Sequence, residues 1–229
     1  LLIEQIGPTV NAAVETYRLR LAAYPKLNRK IESLAKEGWF VSVLLLGFDE
    51  LDELATLDLE GDALSVYAED LYKARFEEFV HGINGEYPDR KLIIEQAAAA
   101  HLAGNYALSV PVFFAQADGI CSARLKKYLF LSGKGNSENV MPIAKQMLQD
   151  LGEKDGLMDL LEFFMWLPLK EKQPVALSRD ERNVLGYTGL NRHDILHGDS
   201  LNYGTEINSL KAFSILSHVA ALLASSEIK

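Results

Sequence analysis

A chain of 229 residues, 48% hydrophobic and 24% charged, has an ordinary globular balance and the length to bury a real core. Its net charge of −9 excludes a protein that coats nucleic acid by charge alone, so contact with RNA would fall to a local basic pocket. The longest apolar run, 41–48, is far shorter than the eighteen or so residues of a membrane span, and no membrane is expected as a partner.

Helical periodicity opens the chain. Apolar residues recur every three or four positions over 8–35, with Pro25 placed to kink or divide that stretch. Residues 38–48, GWFVSVLLLGF, form the one stretch that reads as extended, with aromatic and β-branched residues and no helical spacing. Short acidic helices are expected over 49–56 and 62–80. Two glycines, an Asn and a proline within HGINGEYPD, 81–89, read as a turn, with Pro88 opening the next helix. That helix carries His101, a packing histidine, and stops near Gly104 and Asn105.

A second apolar helix is expected over 106–131, with Pro111 near its start. Within it Gln116 and Asp118 are the polar exceptions. Asp118 reads as a solvated position beside Gly119, with a buried carboxylate partnered by Arg192 or by a backbone cap as the alternative. Cys121, the only cysteine, excludes an intramolecular disulfide and suits a reducing, cytoplasmic setting. Its neighbours offer nothing to lower its pKa, so it reads as a packed thiol. Arg124, Lys126 and Lys127 read as a solvated helix end, and Trp39 and Trp166 as packing anchors. After a loop at 132–139, whose GKG lacks the spacing of a phosphate loop, helices follow over 140–151 and 156–166. An irregular stretch between Pro168 and Gly189 leads to NRHDILHG, 191–198, and then to a core helix over 205–225 that carries His218. In that helix Ile207, Leu210, Phe213, Leu216 and Leu223 form the stripe. The architecture is an all-α bundle preceded by a helical extension.

Three chemistries fit NRHDILHG. His193 and His197, four apart, share a helix face as in zinc peptidases of the His-Glu-x-x-His type. Here Asp194 replaces the longer Glu, Gly198 ends the helix, and no third ligand is evident, so no metal or cofactor is expected. Alternatively, Arg192 can hold a scissile phosphate while His197 exchanges a proton with a ribose hydroxyl or a leaving oxygen. In the third reading the cluster is structural: Arg192 pairs with Asp194 or helix-end carbonyls, and His197 closes the short helix.

The surroundings of the segment resemble those of HEPN-domain proteins. Their pattern is Arg, four to six residues, then His, near the last long helix of a four-helix bundle. The string Arg192-His193-Asp194-Ile195-Leu196-His197-Gly198, the helix after it and the helical pair in 89–120 carry the resemblance, which covers 89–225. It implies an all-α, HEPN-like four-helix bundle over 84–229, with a helical N-terminal region over 1–83. It also implies a homodimer acting on RNA without metal, in a toxin–antitoxin or phage-defence role with an antitoxin or other partner protein. By the same resemblance Arg192 and His197 are catalytic and His193 assists, with Asn191, Asp194 and Asp118 in support. The family often has Asn directly after the Arg, whereas this chain has His193 there and Asn191 before the Arg. Many members are non-catalytic binding or dimerisation modules, which is the alternative function. A hydrolase built on the HDxxH spacing is the third.

Overall fold

The computed structural model describes residues 11–12, 14–17, 25–56, 58, 60–131, 138–154 and 156–225. These residues are helical or irregular, and among them the only β-pairing is one isolated bridge between Tyr128 and Asn139. The helical stripe expected before Pro25 lies partly, and the GKG loop largely, outside the described residues.

The core is organised around α11 (Glu206–Ser225) and α6 (Tyr106–Leu125), which form the most extensive helix pair. With α5 (Lys91–Leu102) beside α6 and α4 (Phe76–Glu86) between α5 and α11, four helices close a ring. The all-α bundle is therefore present. The physical reason is burial: Val110, Phe113, Phe114 and Ala117 on α6 and Leu210, Phe213, Leu216 and Val219 on α11 are all shut from solvent. Each of the Val, Leu and Phe side chains among them contributes roughly 1.5–3 kcal/mol. Of the expected α11 stripe only Ile207 faces outward, at 38% exposure. The same helix, over Glu206–Ala224, is long and apolar enough to cross a membrane by length and composition, although 72% of it is buried inside the fold. Ser, Asn, Lys and His residues scattered along it leave no unbroken apolar run in its sequence.

The N-terminal residues join the same core, whose buried cluster runs from Leu27 to Leu223. Pro25 opens α1 (Pro25–Lys36). The GWFVSVLLLGF stretch is not a strand: it is a buried irregular segment with one 3-10 turn at Val43–Leu45. Its backbone is satisfied by side chains instead of a neighbouring strand. Phe40 donates its N–H to Ser214 Oγ at 3.1 Å, Tyr72 donates to Phe40 O at 2.7 Å, and the fully buried His218 lies 3.2 Å from Val41 O and 2.9 Å from Met165 O. Trp39 is fully buried and stacks on Tyr72 at 6.0 Å between ring centres.

The acidic segment folds as α2 (Phe48–Thr56), followed by α3 (Asp62–Ala74) and α4. The single helix expected over 62–80 breaks at Arg75, whose guanidinium binds Glu50 and Glu78. The turn expected over 81–89 is narrower than its composition suggests. α4 runs through Gly82 and Gly85 because Phe79 and Ile83 bury inward, so position 83/84 lies inside this helix. The chain breaks only at Tyr87, before the 3-10 turn Pro88–Arg90.

α6 stops at Leu125, short of the expected 131, because Lys126 adopts a left-handed conformation (φ 54°). Beyond the bridge come α7 (Met141–Gly152) and α8 (Leu157–Trp166), which pack together. The stretch after Pro168 holds 3-10 turns at Leu167–Leu169 and Pro174–Ala176 and a short helix, α9 (Arg179–Leu185). α10 (Arg192–Leu196) then lies against α6.

Candidate functional site

The NRHDILHG segment forms the short helix α10, held at both ends. Asn191, only 3% exposed, is its N-cap: Oδ1 accepts from His193 N at 3.0 Å and Asp194 N at 3.3 Å. Its Nδ2 donates to Pro174 O (3.1 Å) and Leu177 O (2.9 Å), which fixes the helix to the preceding turn. Ile195 is buried beneath the helix, and Gly198 (φ +76°) reverses the chain after His197.

α9 supplies the other brace. Its capping box, Ser178 with Glu181, starts a helix that carries two arginines toward α10. Arg182 grips Asp194 with both terminal nitrogens at 2.5 Å, and Arg179 pairs with Asp199. Lys172 pairs with Glu181, whose carboxyl is lowered to about 2 chiefly by hydrogen bonds from Lys172 and Ser178. The serine three residues before a glutamate was the sequence signal for α9, and the irregular reading of that stretch missed it.

Arg192 stays apart from this network. Its guanidinium lies 5.7 Å from the centre of the Phe130 ring and 4.0 Å from Asp118 Oδ2, and it makes no hydrogen bond to a described residue. Asp118 is not a solvated position. It is 16% exposed, and its Oδ1 accepts the Leu129 (2.8 Å) and Phe130 (3.4 Å) N–H groups, turning the chain back after α6. The carboxylate is partly buried, its hydrogen-bond partners are backbone N–H groups, and Arg192 is its neighbour.

His193 and His197 share a face, with parallel rings (5°) and centres 6.2 Å apart. His197 is exposed at the helix C-terminus. His193 is half-buried with its Nε2 unpartnered. Burial lowers its pKa first, and the charges of Arg192, Lys172 and His197 lower it further, so at neutral pH the ring is neutral. Five residues of helix place His197 about 140° around the axis from Arg192. Within one chain, then, α10 gathers the two imidazoles on one face and points the guanidinium elsewhere.

The zinc-peptidase spacing gives Asp194 the place of the general base, and in the structure both of its carboxylate oxygens accept from Arg182. No group of three or more His, Cys, Asp or Glu residues able to hold a metal occurs among the described residues. His101 and His218 are packing residues: His101 stacks 4.3 Å from Phe76 and bonds Ser209, and His218 is wholly enclosed. Cys121 is buried and its thiol is pushed up to about 12 by that burial.

Comparison of the chain with protein-family models, with curated proteins and with solved structures finds no match.

Proposed function

We propose that Arg192 and His197, with His193 assisting, form a metal-independent RNA-cleaving site of the HEPN kind, completed when two copies of the chain bring their α10 segments together. The observation that carries this reading is the division of charged groups around α10. Asp194, Asp199 and Glu181 each hold a cation, whereas Arg192 and His197 make no side-chain hydrogen bond to a described residue. A guanidinium held by one carboxylate at 4.0 Å and an aromatic ring, on the same short helix as an exposed imidazole, keeps donors for a phosphate.

In this mechanism His197 takes the proton from a ribose 2′-hydroxyl as the 2′-oxygen attacks the adjacent phosphorus. The 5′-oxygen leaves with a proton from the second copy's imidazolium, and a 2′,3′-cyclic phosphate remains. Arg192 stabilises the added charge on the phosphoryl oxygens. His193, neutral at neutral pH, offers hydrogen bonds but no charge. The about 140° between Arg192 and His197 is why the site needs a second copy. A toxin or defence role, restrained by an antitoxin-type partner protein, belongs to the same proposal.

The test is cleavage of single-stranded RNA with and without a chelator. His197→Ala lowers the rate by roughly 10²–10⁴, Arg192→Ala lowers it comparably, and chelation has no effect. Cleavage that survives both substitutions sinks the site, and loss on chelation replaces it with a metal mechanism.

A second reading, a non-catalytic helical binding module, is favoured by one observation: Arg192 already rests over Phe130 and beside Asp118. A folded protein that cleaves none of several RNAs supports that reading over the first.

A further inference from the structure

Gln116 and Gly119 fit poorly into α6 as helix residues, because one is a buried amide and the other a weak helix former in the middle of a 20-residue helix. Arg90 accounts for both. Its Nη1 donates to Gln116 Oε1 at 2.9 Å and its Nη2 to Gly119 O at 2.8 Å. A Cβ on Gly119 would stand 2.7 Å from Nη1, so the glycine is the seat that lets the guanidinium lie against the helix.

Both acceptors are neutral, so the charge of Arg90 is held in place without being neutralised. Arg124, near the end of α6, lies 5.6 Å over the Tyr87 ring, another hold that leaves its charge in place. Among the described residues neither arginine has a carboxylate within ion-pair distance, whereas Arg75, Arg179 and Arg182 each do. Arg90 and Arg124 line the same groove, of about 490 Å³, together with Tyr87, Ile93, Ile120 and Ala123. Glu86 and Asp89 share its lining, but both are exposed and neither pairs with either guanidinium. The volume lies in the range of small-molecule sites.

We propose that this groove, between the Tyr87–Arg90 corner and α6, binds a small phosphorylated molecule with a planar or apolar body. Arg90 and Arg124 hold the phosphate. A phosphomonoester carries between one and two negative charges at neutral pH, and an oriented guanidinium fork matches its oxygens. The Tyr87, Ile93, Ile120 and Ala123 walls take the body of the ligand. The groove stands on residues that the α10 site does not use.

The probes are AMP, adenosine and inorganic phosphate, titrated calorimetrically into the whole chain. AMP is expected to bind, inorganic phosphate to compete with it, and adenosine to bind at least tenfold more weakly. Arg124→Gln, at an exposed position, weakens AMP at least tenfold with an unchanged circular dichroism spectrum. Gly119→Ala keeps both arginines but fills the seat of Arg90, so AMP affinity falls while the circular dichroism spectrum and cooperative unfolding are retained. Failure of AMP to bind overturns the proposal, as does equal affinity for AMP and adenosine. Retention of full AMP affinity by both variants overturns it as well.

Discussion

The hydroxyl of Tyr203 donates at 3.0 Å to the carbonyl of Ala107, the carbonyl that Pro111 leaves without its helical partner. A proline four residues on has no N–H to give, and the loop between α10 and α11 supplies the missing donor. Gly204 lets that loop come close, since a Cβ there would sit 3.1 Å from the Ala107 methyl. The chain leaving the candidate site is thereby docked onto a fixed point of the core.

Tyr203→Phe should therefore lower stability by about 1 kcal/mol, the net value of one hydrogen bond. In a Pro111→Ala background the helix regains its own bond to Ala107, and the same Tyr203→Phe change should cost almost nothing. Urea denaturation of the four proteins measures the coupling. Equal costs in both backgrounds would show that the tyrosine acts through packing alone.

The Arg182–Asp194 pair makes a separate demand. The two side chains are 11% and 22% exposed, and Arg182 Nε is buried with no partner of its own. Asp194→Ala leaves the guanidinium uncompensated and should cost about 2–3 kcal/mol, less than for a fully buried pair because some water reaches it. Replacing both residues with apolar ones should cost less than the sum of the single changes. On the proposed chemistry, RNA cleavage per folded molecule stays within about tenfold in Asp194→Asn, since that carboxylate only braces the helix. A loss as large as that of His197→Ala would return Asp194 to the chemistry.

The sequence carried the helices well where packing and periodicity agree. α7, α8 and α11 lie within a residue of their expected bounds, α5 starts three residues after Pro88, and His101, Cys121 and Trp166 are buried as their surroundings suggested. It failed where tertiary partners decide. The 38–48 stretch has strand composition, yet Ser214 and Tyr72, remote in sequence, satisfy the backbone groups of Phe40 in an irregular segment. The glycines of α4 spell a turn, but inward burial of Phe79 and Ile83 keeps the helix going. In the candidate site, the cap at Asn191 and the shared face of the two histidines follow from local spacing. The engagement of Asp194 by Arg182 and the meeting of Asp118 with Arg192 depend on how helices pack, and no local pattern encodes them.

Cys121 gives a direct test of the core. Burial raises its thiol to about 12, so at pH 8 the native protein holds almost no thiolate and gives little access to reagents. Reaction with a disulfide reagent should proceed only at the rate of unfolding or opening, and become fast in denaturant. Rapid reaction of the folded protein would mean that α6 opens locally.

His218 makes stability depend on pH in a window of its own. The ring is fully enclosed, and burial lowers its pKa from 6.5 to about 4, with the Met165 and Val41 carbonyls offsetting part of that shift. The Phe40 ring meets it edge-on at 5.7 Å, and no charged side chain contributes to its titration. In the unfolded chain the imidazole takes up its proton near pH 6.5, while in the folded chain it waits until about 4. Between those values the unfolded state binds more protons, so stability present above pH 6.5 is lost as the pH falls toward 4. The difference corresponds to roughly 3 kcal/mol. His218→Gln keeps a donor for Met165 O but cannot titrate there, and carboxylates such as Glu181 titrate alike in both proteins and cancel. The advantage of the wild type over His218→Gln, measured in urea at pH 7 and pH 4, should shrink by that amount. An advantage that grows on acidification would mean instead that both ring nitrogens donate and that the buried imidazolium is the stable form.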